Sequence, residues 1–287
     1  MNPARGVPHA LTIDVEEWFQ VLNLRSHCPI EEWDGLPLRC AVPTRRILDL
    51  LDEFGAGATF FVLGWIAERF PELVREIAAR GHEVGSHGYD HRLLEELGEE
   101  GFAEDLARTE ACLEPLAGRP RSFRACTWSI GPRTPWALPL LVARGYERDS
   151  SIHPISHPDY GDPGAPVEPH WISTGAGRIF EIPPLVVSVL GRRLPLGGGG
   201  YLRLFPVGWI DRALRARSRA GRPACLYLHP WELDPRQPRV GVRGFKAFRH
   251  YVGLGRTEEK LRRLLARHRF ESLERVQAWW INERPSG

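Results

Sequence analysis

The chain has 287 residues, of which 43% are apolar, 26% charged and 10% aromatic. That composition supplies a packed core and argues against intrinsic disorder. Thirty-eight Lys and Arg against 36 Asp and Glu leave a formal charge of +2, too little to draw in nucleic acid or an anionic membrane by long-range attraction.

HALTIDV, beginning at His9, reads as a buried strand. PTRRILDLLDEFG follows with helical spacing, Pro43 near its first turn and Gly55 as terminator. ATFFVLG is the next strand, FPELVREIAARG a helix from Pro71 to Gly81, and HEVGSHG a third strand. Glu99 to Leu116 is helical. SFRACT, YERDSS, RIFEIP and ACLYLHP continue the strands, with helices at Pro135–Arg144 and Gly208–Arg219 between them. RTEEKLRRLLARH is a basic helix near the end. About seven strands alternating with helices predict an α/β fold around a parallel sheet covered on both faces. Periodicity alone does not separate an open doubly wound sheet from a distorted barrel. The Pro- and Gly-rich stretch from His153 to Pro169 reads as an insertion, so residues 1–287 are expected to form one domain with an elaborated second half, 150–287.

No targeting segment is expected, because Asp14 and Glu16 interrupt the apolar start. The most apolar later run, IFEIPPLVVSVLG, is too short to span a bilayer. Five scattered cysteines without a CxxC pair point to reduced, mostly buried thiols and a cytoplasmic location.

In parallel sheets, chemistry gathers at the carboxyl ends of the strands. Five strand ends here deliver a capable residue: Asp14 with Glu16, His87, Arg124, Asp149 and His229. Each alone has an ordinary reading as a cap or a surface pair; their convergence on one rim does not. His87 and His91 are four apart and share a face if the intervening turn is helical, so both imidazoles could meet one cation. Asp14 and Glu16 are spaced i, i+2, which on a strand points both carboxylates to one side. One could ligate while the other takes a proton from water. Glu17 would point away, as a solvated charge.

LTIDVEEWF, ATFFVLGWIAERFPELVREIAARGHEVGSHGYDH, FRACTWSI, RDSSIHP and LYLHPWE resemble the ordered motifs of NodB-type polysaccharide deacetylases, carbohydrate esterase family 4. LPLGGGGYLRLFP and HPWELDPRQPR resemble the subgroup associated with exopolysaccharide and exosortase systems. The resemblance runs from about Ala10 to Glu232. It implies a distorted (β/α)7 barrel, a divalent metal, usually zinc, and hydrolysis of an N-acetyl group on a hexosamine. By position, Asp14 matches the general base, His87 and His91 match metal ligands, and Arg124 matches the partner of the base. His229 matches the general acid, and Asp149 sits where a partner for that histidine is found.

Two departures stand out. Where many members have a second aspartate that ligates the metal, this chain has Val15, and Glu16 is the natural substitute as third ligand. Where a proline follows the arginine after one residue, it has Cys126, which reads as a small buried strand residue. Zinc chemistry suits the task, since a bound cation polarises an amide carbonyl and lowers the pKa of its water. Trp128 and Trp231 flank these motifs and could stack on sugar rings, whereas Trp65 and Trp171 read as core. Gly197–Gly200 lacks a phosphate-loop ending and reads as a flexible loop. The expected substrate is an N-acetylated saccharide, a nucleotide- or lipid-linked precursor rather than finished polymer. An amidase or formamidase on the same scaffold and an inactive saccharide-binding homologue are the rivals. No nucleic acid partner is expected, and the oligomeric state is open.

Overall fold

β1 (His9–Val15) is buried along its whole length. It is the hub of a curled sheet in a computed structural model that describes residues 6–158 and 160–283. β2 (Thr59–Val62) pairs with one edge of β1 and is followed outward by β3 (Glu83–Ser86), β4 (Ser122–Phe123), β5 (Arg148–Asp149) and, out of sequence, β7 (Gly177–Glu181). β10 (Cys225–Leu228) lies on the other edge of β1, and these pairings are all parallel. β6 (His170–Thr174) adds an antiparallel strand beyond β7, and β11 (Phe270–Glu271) pairs with the start of β1. Just after β7, Pro184 bridges to Cys225 and the Leu185 N–H donates to the Cys225 carbonyl at 2.9 Å. That contact brings the chain beyond β7 back to β10 and curls the sheet into the distorted barrel of an α/β fold.

Side-chain alternation sorts the core. Ile13, Phe60 and Val62 pack outward with Ile47, Leu48, Leu51, Leu73 and Ile77, from α1 (Ala41–Phe54) and, beyond the short α2 (Gly64–Arg69), α3 (Pro71–Ala79). Ala10, Phe61, Phe180, Ile182 and Cys225 form a separate cluster with Leu273 and Val276. Those last two belong to the final helix of the chain, Leu273–Asn282. Its first N–H donates to Thr59 Oγ1 at the start of β2, so this helix closes the amino end of the sheet. The carboxyl end is left for chemistry.

The expected strands and helices are present with shorter β4 and β5. α4 (Leu94–Ala117) starts earlier than Glu99 and is broken at Gly98, whose φ is +69°. α5 (Ala137–Ala143), α6 (Gly199–Leu204) and α7 (Val207–Arg219) follow, then α8 (Gly244–Tyr251), α9 (Thr257–Leu265) and the closing helix, α10. Periodicity missed β6, β11, α2, α6, α8, α10 and a hairpin of β8 (Val186–Val189) with β9 (Arg192–Pro195). These are pieces of two to ten residues whose formation depends on neighbours. The glycine run is not a flexible loop. A Cβ on Gly199 would lie 1.7 Å from Glu232 Oε2, so the backbone must pass there bare. Among the described residues, no helix is long and apolar enough to cross a membrane.

Candidate active site

One cavity of about 370 Å³ opens at the carboxyl rim and is lined by Asp14, Glu16, His87, His91, Arg124 and His229, among others. Six of the seven expected site residues therefore meet. Asp14 ends the run of β1 that alternates inward, and Glu16 follows one residue past the strand. Both keep the same side: His229 Nε2 lies 3.7 Å from Asp14 Oδ2 and 3.6 Å from Glu16 Oε1.

Arg124 is fully buried and spends its donors on four oxygen acceptors, with Cys225 Sγ at 3.7 Å beside them. Nη1 reaches Asp14 Oδ1 at 2.8 Å and Thr12 Oγ1 at 2.6 Å, while Nε and Nη2 take the Ser150 carbonyl and hydroxyl at 2.9 and 2.7 Å. A buried arginine so saturated fixes the carboxylate it faces.

His87 and His91 meet for a reason other than the one expected. Residues 87–91 are not helical; Gly88 and His91 adopt left-handed φ of +75° and +59°. The loop is pinned by Gly64 and Trp65 N–H groups donating to the Gly88 and Tyr89 carbonyls, and by the Tyr89 N–H donating to Asp105. The imidazoles end 5.5 Å apart, edge to face. A non-glycine residue held left-handed beside a site is a mark of functional strain, and Thr127 and Trp128 on the facing wall share it, with φ of +52° and +56°.

The donor set fits a divalent cation. His87 Nδ1 lies 2.7 Å from the Arg124 carbonyl, which requires Nδ1–H and leaves a lone pair on Nε2. Glu16 Oε2 is buried and lacks a hydrogen bond, although His91 Nε2 is only 2.9 Å away. Two donor atoms that close without hydrogen-bond alignment are placed to share an ion. Among the described residues the three ligand atoms found within 4.8 Å of one another belong to His87, His91 and Cys126, a group without Glu16, though Cys126 Sγ donates to the His87 carbonyl at 3.0 Å. Burial raises the Cys126 thiol well above its usual pKa and lowers His87 to about 4. Burial opposes the Glu16 carboxylate too, but His91, His229 and His87 outweigh it and hold the group down at about 2.

His229 is backed by a residue the sequence reading did not single out. Glu232 Oε2 lies 3.2 Å from His229 Nδ1 and accepts the His229 N–H, while Arg203 Nε donates to Glu232 Oε1 at 2.8 Å. Against the cost of burial, Glu16, Glu232 and Asp14 raise the imidazole to about 9. Trp231 stacks on His229 at 5.1 Å, His250 stacks behind Trp231 at 4.6 Å, and the indole N–H donates to Glu16 Oε1. The spacing His229-Pro-Trp-Glu232, with Pro at the first position of a turn, was the available signal for Glu232. Trp128 and Trp231 line the cavity, Trp65 is buried in the core, and Trp171 is half exposed beside β7.

Two expectations are corrected. Asp149 is not the partner of His229; it is wholly buried, accepts from the Ser151 hydroxyl and faces Glu181, its neighbour across β5 and β7. Glu17 is not solvated either: it is buried and accepts the N–H groups of Arg39 and Cys40 ahead of α1. Desolvation raises both members of the Asp149–Glu181 pair, Glu181 strongly, and a proton on Glu181 Oε2 gives that orphaned atom a role as donor. A raised carboxyl stabilises the fold fully below its unfolded value and loses that contribution as pH rises through its folded value. The native melting temperature is therefore expected to fall from pH 5 towards alkaline pH more steeply than that of Glu181→Gln. Parallel melting curves for the two proteins would contradict the shared proton.

Carboxylates and imidazoles grouped at the open end of a curled α/β sheet define a hydrolase-type site able to hold a metal. A polysaccharide deacetylase profile matches residues 33–139, and the profile of a domain of unknown function, DUF3473, matches residues 150–278. A peptidoglycan-N-acetylglucosamine deacetylase of Bacillus cereus is 41% identical over 80 residues, 28% of this chain and 29% of that protein. A chitooligosaccharide deacetylase of Azorhizobium caulinodans is 32% identical over 34% of this chain and 57% of its own. The chain thus spans only part of the curated relatives it matches. The crystal structure of a protein assigned as a polysaccharide deacetylase from Mycobacterium smegmatis superposes with a TM-score of 0.62 and 25% identity, covering 98% of this chain and 94% of its own. An allantoinase shares the fold at the same TM-score with 16% identity. Residues 33–139 are thus similar to polysaccharide deacetylases, and residues 150–278 to the DUF3473 domain.

Proposed function

We propose that the protein hydrolyses the N-acetyl group of an N-acetylated hexosamine, in a saccharide or exopolysaccharide precursor, with residues 1–287 acting as one deacetylase unit. The observation that carries this reading is the meeting in one cavity of Asp14 on Arg124, His229 on Glu232, and the Glu16, His87 and His91 donor set. The deacetylase relatives supply the substrate class, and the DUF3473 match supports the exopolysaccharide setting.

Glu16, His87 and His91 would hold the divalent metal, with zinc best suited to an N and O donor set. Bound there, it would polarise the amide carbonyl and acidify a water. Asp14, held by Arg124, is placed to act as the base toward an attacking water. His229 faces the same space with Nε2 while Glu232 holds Nδ1, which suits it to protonate the departing amine. Trp128 and Trp231 line the cavity, but Trp231 is sandwiched between His229 and His250 and leaves no ring face for a sugar. Five free cysteines, four of them buried, agree with a reducing, cytoplasmic setting and so with a nucleotide- or lipid-linked precursor.

Acetate release is the direct test, measured on N-acetylglucosamine oligomers and on a nucleotide-linked N-acetylhexosamine, with zinc or cobalt supplied. Metal-dependent acetate release, abolished by a chelator, is expected. Cleavage of allantoin or formamide with no acetate from any acetamido sugar would replace the reading with an amidase.

A further inference from the structure

The near-neutral chain conceals a local imbalance. Between Pro235 and Arg256 lie Arg236, Arg239, Arg243, Lys246, Arg249 and Arg256, and no Asp or Glu. All six are exposed, and among the described residues none of their side chains pairs with a carboxylate. Their side-chain contacts are neutral ones: Arg249 donates to Asn23 and Arg239 covers the Tyr251 ring. Elsewhere many surface arginines are matched, as Arg46 is by Glu258 and Arg262 by Glu53, while exposed Arg212 and Arg219 of α7 have no carboxylate partner among the described residues.

The same segment exposes apolar rings. On α8, Phe245 is 75% and Phe248 52% exposed, with ring centroids 6.4 Å apart. Arg203 ties α8 to α6 by donating to the carbonyls of Arg249, His250 and Val252. Leu204 therefore lines the same cavity mouth as Phe245 and Phe248. Past it, Phe205 stacks on Trp209 at 5.3 Å, and Trp209 is 58% exposed. A strip of exposed aromatic and aliphatic side chains thus borders the cavity, flanked by unpaired cations.

We propose that this face, α8 with the loop before it and the Leu204–Trp209 edge, docks on an anionic lipid surface. Aromatic rings partition into the headgroup region, and arginine and lysine beside them meet the lipid phosphates. The charge is complementary to such a surface, and a few hundred square ångströms of protruding apolar surface mark an interaction site. An acidic polysaccharide would favour flat rings set within a groove, whereas Phe245 protrudes and Leu204 has no ring face. Docking would put the cavity mouth against the bilayer, a step beyond the deacetylase reading and independent of it.

The test is co-sedimentation of the full chain with vesicles of phosphatidylcholine alone and vesicles containing phosphatidylglycerol. Binding to the anionic vesicles only, weakened by salt, is expected. Replacing Arg243, Lys246 and Arg256 together by Gln should lower the partition about a hundredfold. Phe245→Ala with Phe248→Ala should lower it about tenfold or more. Arg121→Gln with Arg178→Gln, at the amino ends of β4 and β7, should leave it unchanged. Absence of binding to phosphatidylglycerol vesicles at low salt would overturn the proposal, as would binding that neither set of variants reduces. Capture of polygalacturonate without vesicle binding would overturn it in favour of an acidic polysaccharide. No catalysis is read here, so failure leaves the deacetylase reading standing.

Discussion

His229→Ala is expected to keep its fold and its metal while turnover of an acetamido sugar falls by about 10²–10⁴-fold, the usual contribution of a general acid–base group. The side chain sits on the cavity wall, 20% exposed, so its removal opens no sealed void. Glu232 faces its Nδ1, and its Nε2 faces Asp14 and the cavity. Glu232→Gln should reproduce part of the loss through orientation, because the His229 backbone N–H keeps an acceptor while Nδ1 loses a charged one. It should also cost stability, since Arg203 then faces a neutral amide in a buried site. Zinc content and turnover measured on the same preparations check the division. Equal rates in His229→Ala and native protein would remove His229 from the chemistry.

What could be read from the chain follows from how local each signal is. β1, β2 and β10 are mainly apolar runs and β3 is not, yet the carboxyl ends of β1, β3 and β10 carry Asp14, His87 and His229 to one rim. Arg124 could be found the same way although β4 has only two residues, because the fold needs it one step past the strand. Glu232 was signalled by its spacing from His229, but its burial against Gly199 and its pairing with Arg203, some thirty residues away, have no sequence period to reveal them. The Asp149 expectation failed for a related reason: β5 pairs with β7, not β6, and this non-sequential pairing sets Glu181 beside it. Glu17 looked solvated because regular alternation would turn it outward, yet the chain leaves the strand at Val15 and wraps the carboxylate onto the start of α1. The histidine pair was visible by spacing alone, for the wrong local geometry. Four residues bring two imidazoles together in a helical turn, but also in a loop with two left-handed residues, and only the loop leaves the rings edge to face.

The largest effect on metal is expected from the double variant His87→Ala, His91→Ala, which should purify without zinc and release no acetate. The two imidazoles supply the nitrogen donors of the set, and none of the carboxylates around them can replace both. Full zinc occupancy in that variant would end the metal assignment at this place. The third ligand is the sharper question, because Glu16 and Cys126 both lie against the histidines. Glu16 Oε2 is buried without a hydrogen bond, 2.9 Å from His91 Nε2, and costs least when a cation satisfies it. Cys126 already donates its thiol proton to the His87 carbonyl, and ligation would forfeit that bond. Glu16→Ala is therefore expected to weaken zinc binding by about 10–100-fold or more, a loss at least as large as that from removing a group behind a ligand. Cys126→Ser should change it little. Asp14→Asn should keep the metal and lose activity, with a stability cost because Arg124 would face an amide. Cobalt gives a readout free of catalysis: thiolate ligation produces an intense near-ultraviolet charge-transfer band, and carboxylate ligation does not. A cobalt-loaded protein with that band, lost in Cys126→Ser, would hand the third position to the cysteine; metal loss in Asp14→Asn with Glu16→Ala unaffected would hand it to Asp14.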